Sequence, residues 1–397
     1  MKILIGHNRY QFRGGEDGVV DAEIRMLRHH GHEVLLIEGS NDFFETGGVP
    51  QRAAAFKNLF WSKKSYLQCR QAIRKHKPDL AHFHNIFYSL TPSVYDACRD
   101  LSVPVVQSQH NFRLLCANGL FFRNGHVCED CVEFGRMEGV KHACFRQSRL
   151  KTAVLSYMVF HHWQRRTWQD KIDRYIMAAD FTKAKYAAHG IAEEKISVKP
   201  HFLYPEPESC PGPDGRQGGV LYVGRLSREK GVEVLLTAWK NCHDIPLKIM
   251  GTGPLEQELK KFVQQQKIEN VEFLGFVNDE TYHRHMCQAQ LVVIPSQCYE
   301  NFPRIIAESY AYGIPVVASR LGSLIELVKE GHSGILFQAE DPEDLSSKVR
   351  QLMSRPEILA TMSKNARELY QQNFSMEVNY KILTGIYERT ISNYQKK

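Results

Sequence analysis

The 397-residue chain contains no Asp-x-Asp pair, so one common way of holding a divalent ion between paired carboxylates is missing. No apolar run approaches the roughly 18 residues of a membrane-spanning helix. No complete G-x-G-x-x-G occurs either; Gly251-Thr252-Gly253 lacks the third glycine of a dinucleotide fingerprint. Between Gln51 and Pro78 there is no Asp or Glu, against eight Lys and Arg. Met1 leads straight into the strand-like KILIGH, so no secretory leader is expected and the expected compartment is the cytoplasm. There, the ten cysteines are expected as thiols or metal ligands rather than disulfides.

What is present is ordinary for a globular protein: 43% apolar residues, 24% charged, and length for two or three domains. The net charge of +7 is unevenly spread. In the acid-free stretch, Phe56, Phe60, Trp61 and Tyr66 are interleaved with the cations. Arg146–Arg174 repeats the theme with His161-His162-Trp163 and Arg165-Arg166. Such stretches lie on an anionic membrane surface, track a nucleic-acid backbone, or form a solvated helix face.

Apolar runs alternate with helical patterns, as in a parallel sheet covered on both faces. Strands are expected at Lys2–Gly6, Glu33–Ile37, Leu80–His84, Val103–Gln107 and Tyr175–Ala178, with helices at Asp17–His30 and Ser65–His76. The breaker-rich Pro200–Gly219 reads as a linker. The alternation then restarts, with strands at Val220–Val223, Leu247–Met250, Val271–Leu274, Leu291–Ile294, Val316–Ala318 and Ile335–Phe337. Helices are expected at Gly231–Asn241, Pro254–Gln266, Pro303–Tyr312, Leu324–Lys329, Pro342–Ser354, Pro356–Gln372 and Met376–Gln395. The reading is an α/β chain with a domain over 1–199, a linker over 200–217 and a domain over 218–375. The C-terminal helix, 376–397, is expected to pack back on the first domain. Two doubly wound domains would face one another across a cleft at the carboxyl ends of their strands.

Two segments carry the chemistry. GRLSREKG, Gly224–Gly231, sends Arg225 and Lys230 off a strand end between glycines, where two cations suit a diphosphate and a surface loop is the plain alternative. SQCYENFPRIIAE, Ser296–Glu308, places Glu300 and Glu308 around the turn Asn301-Phe302-Pro303, which opens a helix. Free N–H groups there favour an anion, and carboxylates accept hydrogen bonds from vicinal hydroxyls.

With GTGP at Gly251–Pro254, FLGFV at Phe273–Val277 and GIPVVAS at Gly313–Ser319, these segments occur in the order seen in retaining glycosyltransferases of family four, which the chain resembles over nearly its whole length. RGGED at Arg13–Asp17 is similar to that family's glycine-rich donor loop. The resemblance implies the GT-B fold and transfer of a sugar from a UDP or GDP donor to a glycan or lipid-linked acceptor in polysaccharide assembly. It implies a hexosyltransferase-type enzyme, peripheral on the inner face of the cytoplasmic membrane. By the same resemblance Arg225 and Lys230 bind the diphosphate and replace a catalytic metal, and Glu308 holds the ribose. Glu300 faces the donor sugar, with the turn Asn301–Pro303 and its backbone N–H groups nearby. Phe276 lies beside the base, Gly14 and Gly15 approach the diphosphate, and His110 is the active-site histidine. His84 reads as structural or acceptor-side.

Cys116, Cys128, Cys131 and Cys144 lie outside the common core of that family, in an insertion spanning 112–147. One Cys-x2-Cys pair flanked by single cysteines suits a structural zinc, with His126 and His142 as substitutes and reduced or paired cysteines as the alternative. The segment follows His110 and is expected to shape the acceptor side. Two other classes stay in view: a zinc-stabilised nucleic-acid-binding protein and a nucleotide-dependent oxidoreductase. Neither explains Arg225, Lys230, Glu300 and Glu308 together, so no nucleic-acid partner is expected.

Overall fold

The computed structural model describes residues 1–9, 14–40, 58–87, 89–207, 210, 212 and 215–396. Arg13 of RGGED, residues 51–57 of the acid-free stretch and part of the linker lie outside the described residues. The chain divides into two compact units. The first comprises Met1–Gly119, Asp130–Pro200 and Asn379–Lys397; the second comprises Leu120–Glu129 and His201–Val378.

The first unit is built on a six-stranded parallel sheet. Its strands are β1 (Lys2–Arg9), β2 (Glu33–Ser40), β3 (Leu80–Phe83), β4 (Val105–Gln109), β7 (Arg174–Met177) and β8 (Ile196–Val198), in the order β2-β1-β3-β4-β7-β8. Ile3, Leu4, Ile5, Leu80, Val105 and Val106 are fully buried, which is why these runs read as continuous apolar strands. Helix α1 (Gly15–His29) packs beside β2 and buries Val20, Ile24 and Leu27 together with two acids, Asp17 and Glu23. Helix α2 (Lys63–His76) begins at Ser62, whose hydroxyl accepts from the Ser65 N–H.

The second unit repeats the plan. Strands β9 (Val220–Val223), β10 (Leu247–Met250), β11 (Val271–Gly275), β12 (Leu291–Ile294), β13 (Val316–Ser319) and β14 (Gly334–Phe337) form a parallel sheet in the order β11-β10-β9-β12-β13-β14. Counted from the unit's first strand this is 3-2-1-4-5-6, the dinucleotide-binding order whose reversal point lies between β9 and β12. Trp239 anchors the core with Leu235, Leu247, Ile249 and Leu345, and its indole N–H donates to the Ile245 carbonyl at 2.9 Å.

The structure adds elements the periodicity did not show. β8 extends the first sheet, and Phe122–Arg123 (β5) pairs antiparallel with His126–Val127 (β6). Helix α3 (Asp279–Gln288) is also new; it is polar, with Met286 and Cys287 as its buried residues, so no apolar stripe announces it. Its signal is local: Asn278 caps it by accepting from the Thr281 N–H at 2.8 Å, with Asp279 and Glu280 in the first turn.

One expectation is corrected. Cys210 and Cys287 form a disulfide, with Cα atoms 5.2 Å apart across 77 residues of sequence. The linker places one beside α3, which carries the other, a proximity no spacing rule reveals. The other eight cysteines are reduced.

Candidate active site

The carboxyl ends of β9 and β12 are adjacent, so the two segments singled out in the sequence meet at the reversal point of the second sheet. Their loops join through backbone. The Gln297 N–H donates to the Glu229 carbonyl at 2.9 Å. Gly231 has φ +67°, and a Cβ there would lie 1.8 Å from the Pro295 carbonyl oxygen. Gly251, at φ +132°, would place a Cβ 2.0 Å from the Gly224 carbonyl oxygen. These glycines let strand-end loops close on one another.

Lys230 and Glu300 stand at the centre of the joint. Lys230 Nζ lies 2.6 Å from Glu300 Oε1, and the Ser296 hydroxyl donates to the same oxygen at 2.6 Å. The Ser323 hydroxyl fixes the loop by donating to the Glu300 carbonyl at 2.7 Å. Burial opposes the charge on Lys230, but Glu300, with Cys298 and Glu229 behind it, raises its pKa above the ordinary lysine value. The ammonium therefore stays charged throughout the physiological range. Cys298 beside it is pushed up by burial and then by Glu300, so it remains a neutral thiol. Arg225 leaves the end of β9 exposed, and among the described residues its guanidinium makes no hydrogen bond or ion pair.

Glu308 lies on helix α4 (Arg304–Ala311), which Pro303 caps. Its carboxylate is held from two sides: the Tyr282 hydroxyl donates to Oε2 at 2.7 Å, and Arg304 Nη2 approaches Oε1 at 3.0 Å. Burial and then Glu308 push the Tyr282 phenol well above its ordinary value, so it remains a donor. Each carboxylate oxygen keeps a lone pair for a further hydroxyl. Ser296 sits inside the stretch read from sequence and was passed over. Tyr282 was missed because its helix was.

The other expected residues divide. The Phe302 ring points into the core, 5.1 Å from His201 and 5.6 Å from Phe374, which leaves its backbone to face a ligand. Asn301 is buried beside it. Phe276 is 88% exposed just beyond β11, an unusual setting for a large apolar ring. Gly14 precedes α1, and its N–H donates to Asp17 Oδ2 at 2.9 Å while Asp17 Oδ1 meets His7 Nε2 at 2.8 Å. Gly15 is the first residue of α1. His110 follows β4, with its Nε2 2.9 Å from His84 Nδ1 and the rings stacked. Burial, followed by the neighbouring His7, Lys199 and His82, holds its pKa down to about 3. It is a neutral imidazole.

Of the four insertion cysteines, Cys116, Cys131 and Cys144 belong to the first unit and Cys128 to the second. Among the described residues, groups of three candidate metal-ligating atoms within 4.8 Å of one another include Cys210-His283-Cys287 and Glu23-His82-His84. Cys116 and Cys131 lie within hydrogen-bonding reach of one another, and the hydrogen bond from Cys116 holds the Cys131 thiol down to about 6 against its burial. Part of the insertion, Leu120–Glu129, belongs to the second unit. There the Tyr299 hydroxyl donates to Glu129 at 2.8 Å, one residue from Glu300.

Two parallel-sheet, Rossmann-like units in one chain define the GT-B class of glycosyltransferase, and solved structures agree. Sucrose-phosphate synthase from Thermosynechococcus elongatus superposes with a TM-score of 0.70 at 18% identity, covering 99% of both chains. Anabaena Alr3699/HepE, solved with UDP and glucose, superposes at 0.67 and 19% identity, covering 98% of this chain and 100% of that one. The family model for Glycosyltransferase Family 4 matches residues 13–206, and that for Glycosyl transferases group 1 matches residues 211–369. The uncharacterized glycosyltransferase MJ1607 of Methanocaldococcus jannaschii is 32% identical over 317 residues, 79% of this chain and 75% of that protein. The alpha-D-kanosaminyltransferase of Streptomyces kanamyceticus is 30% identical over 173 residues, 42% of this chain and 45% of that protein. Several curated relatives are matched over about half their length or less. The chain belongs to glycosyltransferase family 4.

Proposed function

We propose that the protein transfers a hexose from a nucleoside diphosphate sugar, UDP or GDP linked, to a hydroxyl of a glycan or lipid-linked glycan, with retention of configuration and without a catalytic metal. The observation that carries this reading is the Lys230–Glu300 pair at the β9/β12 reversal point, 2.6 Å apart and backed by Ser296. When the bond from the sugar's anomeric carbon to the leaving phosphate breaks, negative charge grows on that phosphate. A fixed ammonium, Lys230, and an exposed guanidinium of the same loop, Arg225, stabilise it. Glu300 accepts hydroxyls of the sugar and Glu308 those of the ribose. The new glycosidic bond forms on the same face, and the acceptor's proton passes to the departing phosphate oxygen. The first unit carries His110 and selects the acceptor. Titration calorimetry with UDP and GDP in the presence of a chelator tests the donor half. Micromolar, metal-independent binding of one of them is expected; binding that requires a divalent ion would overturn the metal-free chemistry.

Association with an anionic membrane surface belongs to the same reading. No described helix is long and apolar enough to cross a membrane. Trp61 and Leu67 are exposed alongside Lys63, Lys64, Arg74 and Lys75 on α2 and its N-terminal flank, which suits the headgroup region.

A further inference from the structure

The first unit buries a polar chain that donor binding does not use. Glu23 on α1 is 1% exposed, and its Oε1 lies 2.8 Å from the ammonium of Lys199, itself 2% exposed. Lys199 also donates to Asn379 Oδ1 at 3.2 Å. The second oxygen, Oε2, faces His84 Nε2 at 3.6 Å, and neither atom has a hydrogen-bond partner. The other ring nitrogen of His84, Nδ1, lies 2.9 Å from His110 Nε2. Carboxylate, imidazole and imidazole thus run in sequence from α1 to the end of β4.

His82 lies alongside and does not join the chain. Its Nδ1 pairs with the Tyr387 hydroxyl at 2.7 Å and its Nε2 with the Ser108 hydroxyl at 2.8 Å, although Glu23 Oε2 is 3.9 Å away. Glu23, His82 and His84 cluster like metal ligands. Yet the Lys199 ammonium already supplies the cation, and both nitrogens of His82 are committed. The remaining group facing the cluster is His7, whose ring is 6.1 Å from that of His84 and which is held by Asp17.

We propose that Glu23 and His84 are positioning residues that fix the tautomer of His110. The proposal rests on the reading of His110 as an acting residue of the transfer. An ionised carboxylate only accepts hydrogen bonds. Glu23 is ion-paired with Lys199 through Oε1 and turns Oε2 to His84 as an acceptor, so the proton of neutral His84 sits on Nε2, towards Glu23. His84 Nδ1 is then an acceptor, and His110 must carry its proton on Nε2 to donate to it. That makes His110 Nδ1 an acceptor, suited to a sugar hydroxyl. The burial that keeps His110 and His82 neutral, at about 3 and about 4, removes the competing state in which both nitrogens donate. The logic is that of a buried acid holding a histidine in its working tautomer.

Nitrogen-15 NMR of histidine-labelled full-length protein reads the tautomer directly, with His110 assigned by its loss in His110→Ala. The wild type is expected to show His110 protonated at Nε2. His84→Ala is expected to mix the tautomers and lower kcat roughly tenfold to a hundredfold, with the donor KM little changed. His84→Asn supplies an oxygen acceptor in place of Nδ1 and is expected to restore both. Glu23→Gln/Lys199→Met removes the two buried charges together, which protects the fold, and is expected to mix the tautomers as His84→Ala does. A wild-type His110 protonated at Nδ1, or an unchanged tautomer in the double variant, would overturn the relay. Full turnover in His110→Ala would overturn the catalytic reading of His110 and the functional half of this proposal, while the tautomer spectra still decide the relay itself.

Discussion

Lys230 and Glu300 are each other's counter-charge in the structure, and this fixes what each substitution does. Removing Lys230 leaves a partly buried carboxylate without its cation and removes the charge proposed to meet the leaving phosphate. Lys230→Ala is expected to lower kcat/KM by roughly a hundredfold or more, the range seen when one fixed donor to developing charge is lost. Arg225→Ala is expected to lower it too, with little effect on stability, because the exposed guanidinium supports nothing in the fold. Steady-state kinetics with thermal melting checks both; near-normal turnover in either would remove that residue from the phosphate role. Arg225, Lys230, Glu300 and Glu308 were legible in the sequence because they sit at fixed offsets from strand ends. Ser296, Tyr282 and Arg304 were not, since they act by touching those carboxylates, and touching is a property of the folded chain.

At the scale of elements, the site depends on two loops pressed together at the ends of β9 and β12. Gly231→Ala places a methyl against the Pro295 carbonyl at a positive φ. It is expected to cost about 1–3 kcal/mol from backbone strain alone. The expected result is a lower melting temperature together with weaker nucleoside diphosphate binding, since both loops must shift. Unchanged melting would show that the joint is looser than its geometry. Helix α2 carries a different expectation. Lys63→Glu/Lys64→Glu/Lys75→Glu is expected to weaken binding to anionic vesicles and leave uncharged vesicles unaffected, at roughly 1 kcal/mol per charge near the surface. A sedimentation assay measures this, and unchanged binding would remove α2 as a membrane patch. Strands were readable because buried parallel strands are continuous apolar runs. Polar α3 was unreadable by periodicity, although its Asn278 cap was in view. The Phe302 ring sits in the core beside His201 and Phe374, a placement that the reading of the turn by its backbone N–H groups left open.

At the scale of the whole molecule, buried histidines set the response to acid. His82 is held at about 4 by burial, Glu23 opposing and Lys199 reinforcing, against an ordinary value of 6.5. His162 is also held at about 4, chiefly by burial, and His110 at about 3. Below pH 6.5 the unfolded chain binds protons that the folded chain refuses, so stability falls as pH drops from about 6.5 towards 4. For His82 alone the loss by pH 4 is about 3 kcal/mol. Urea denaturation from pH 7.5 to 4.5 is expected to show a falling midpoint that His82→Gln makes shallower. A flat profile would contradict the buried neutral state.

By itself the sequence determined the α/β class, the repeated strand–helix alternation, and the ordered motifs from Gly224 to Ser319 that mark the family. These are local properties: apolar run length, turn residues and charge at strand ends are set by a few neighbouring residues. Only the tertiary structure decided which of them meet. It brought Glu300 to Lys230 across 70 residues, Tyr282 to Glu308, Cys210 to Cys287, and Glu23 through His84 to His110. The reason is physical. Strand order is set by how helices pack on a twisted sheet, and that order chooses which strand ends become neighbours.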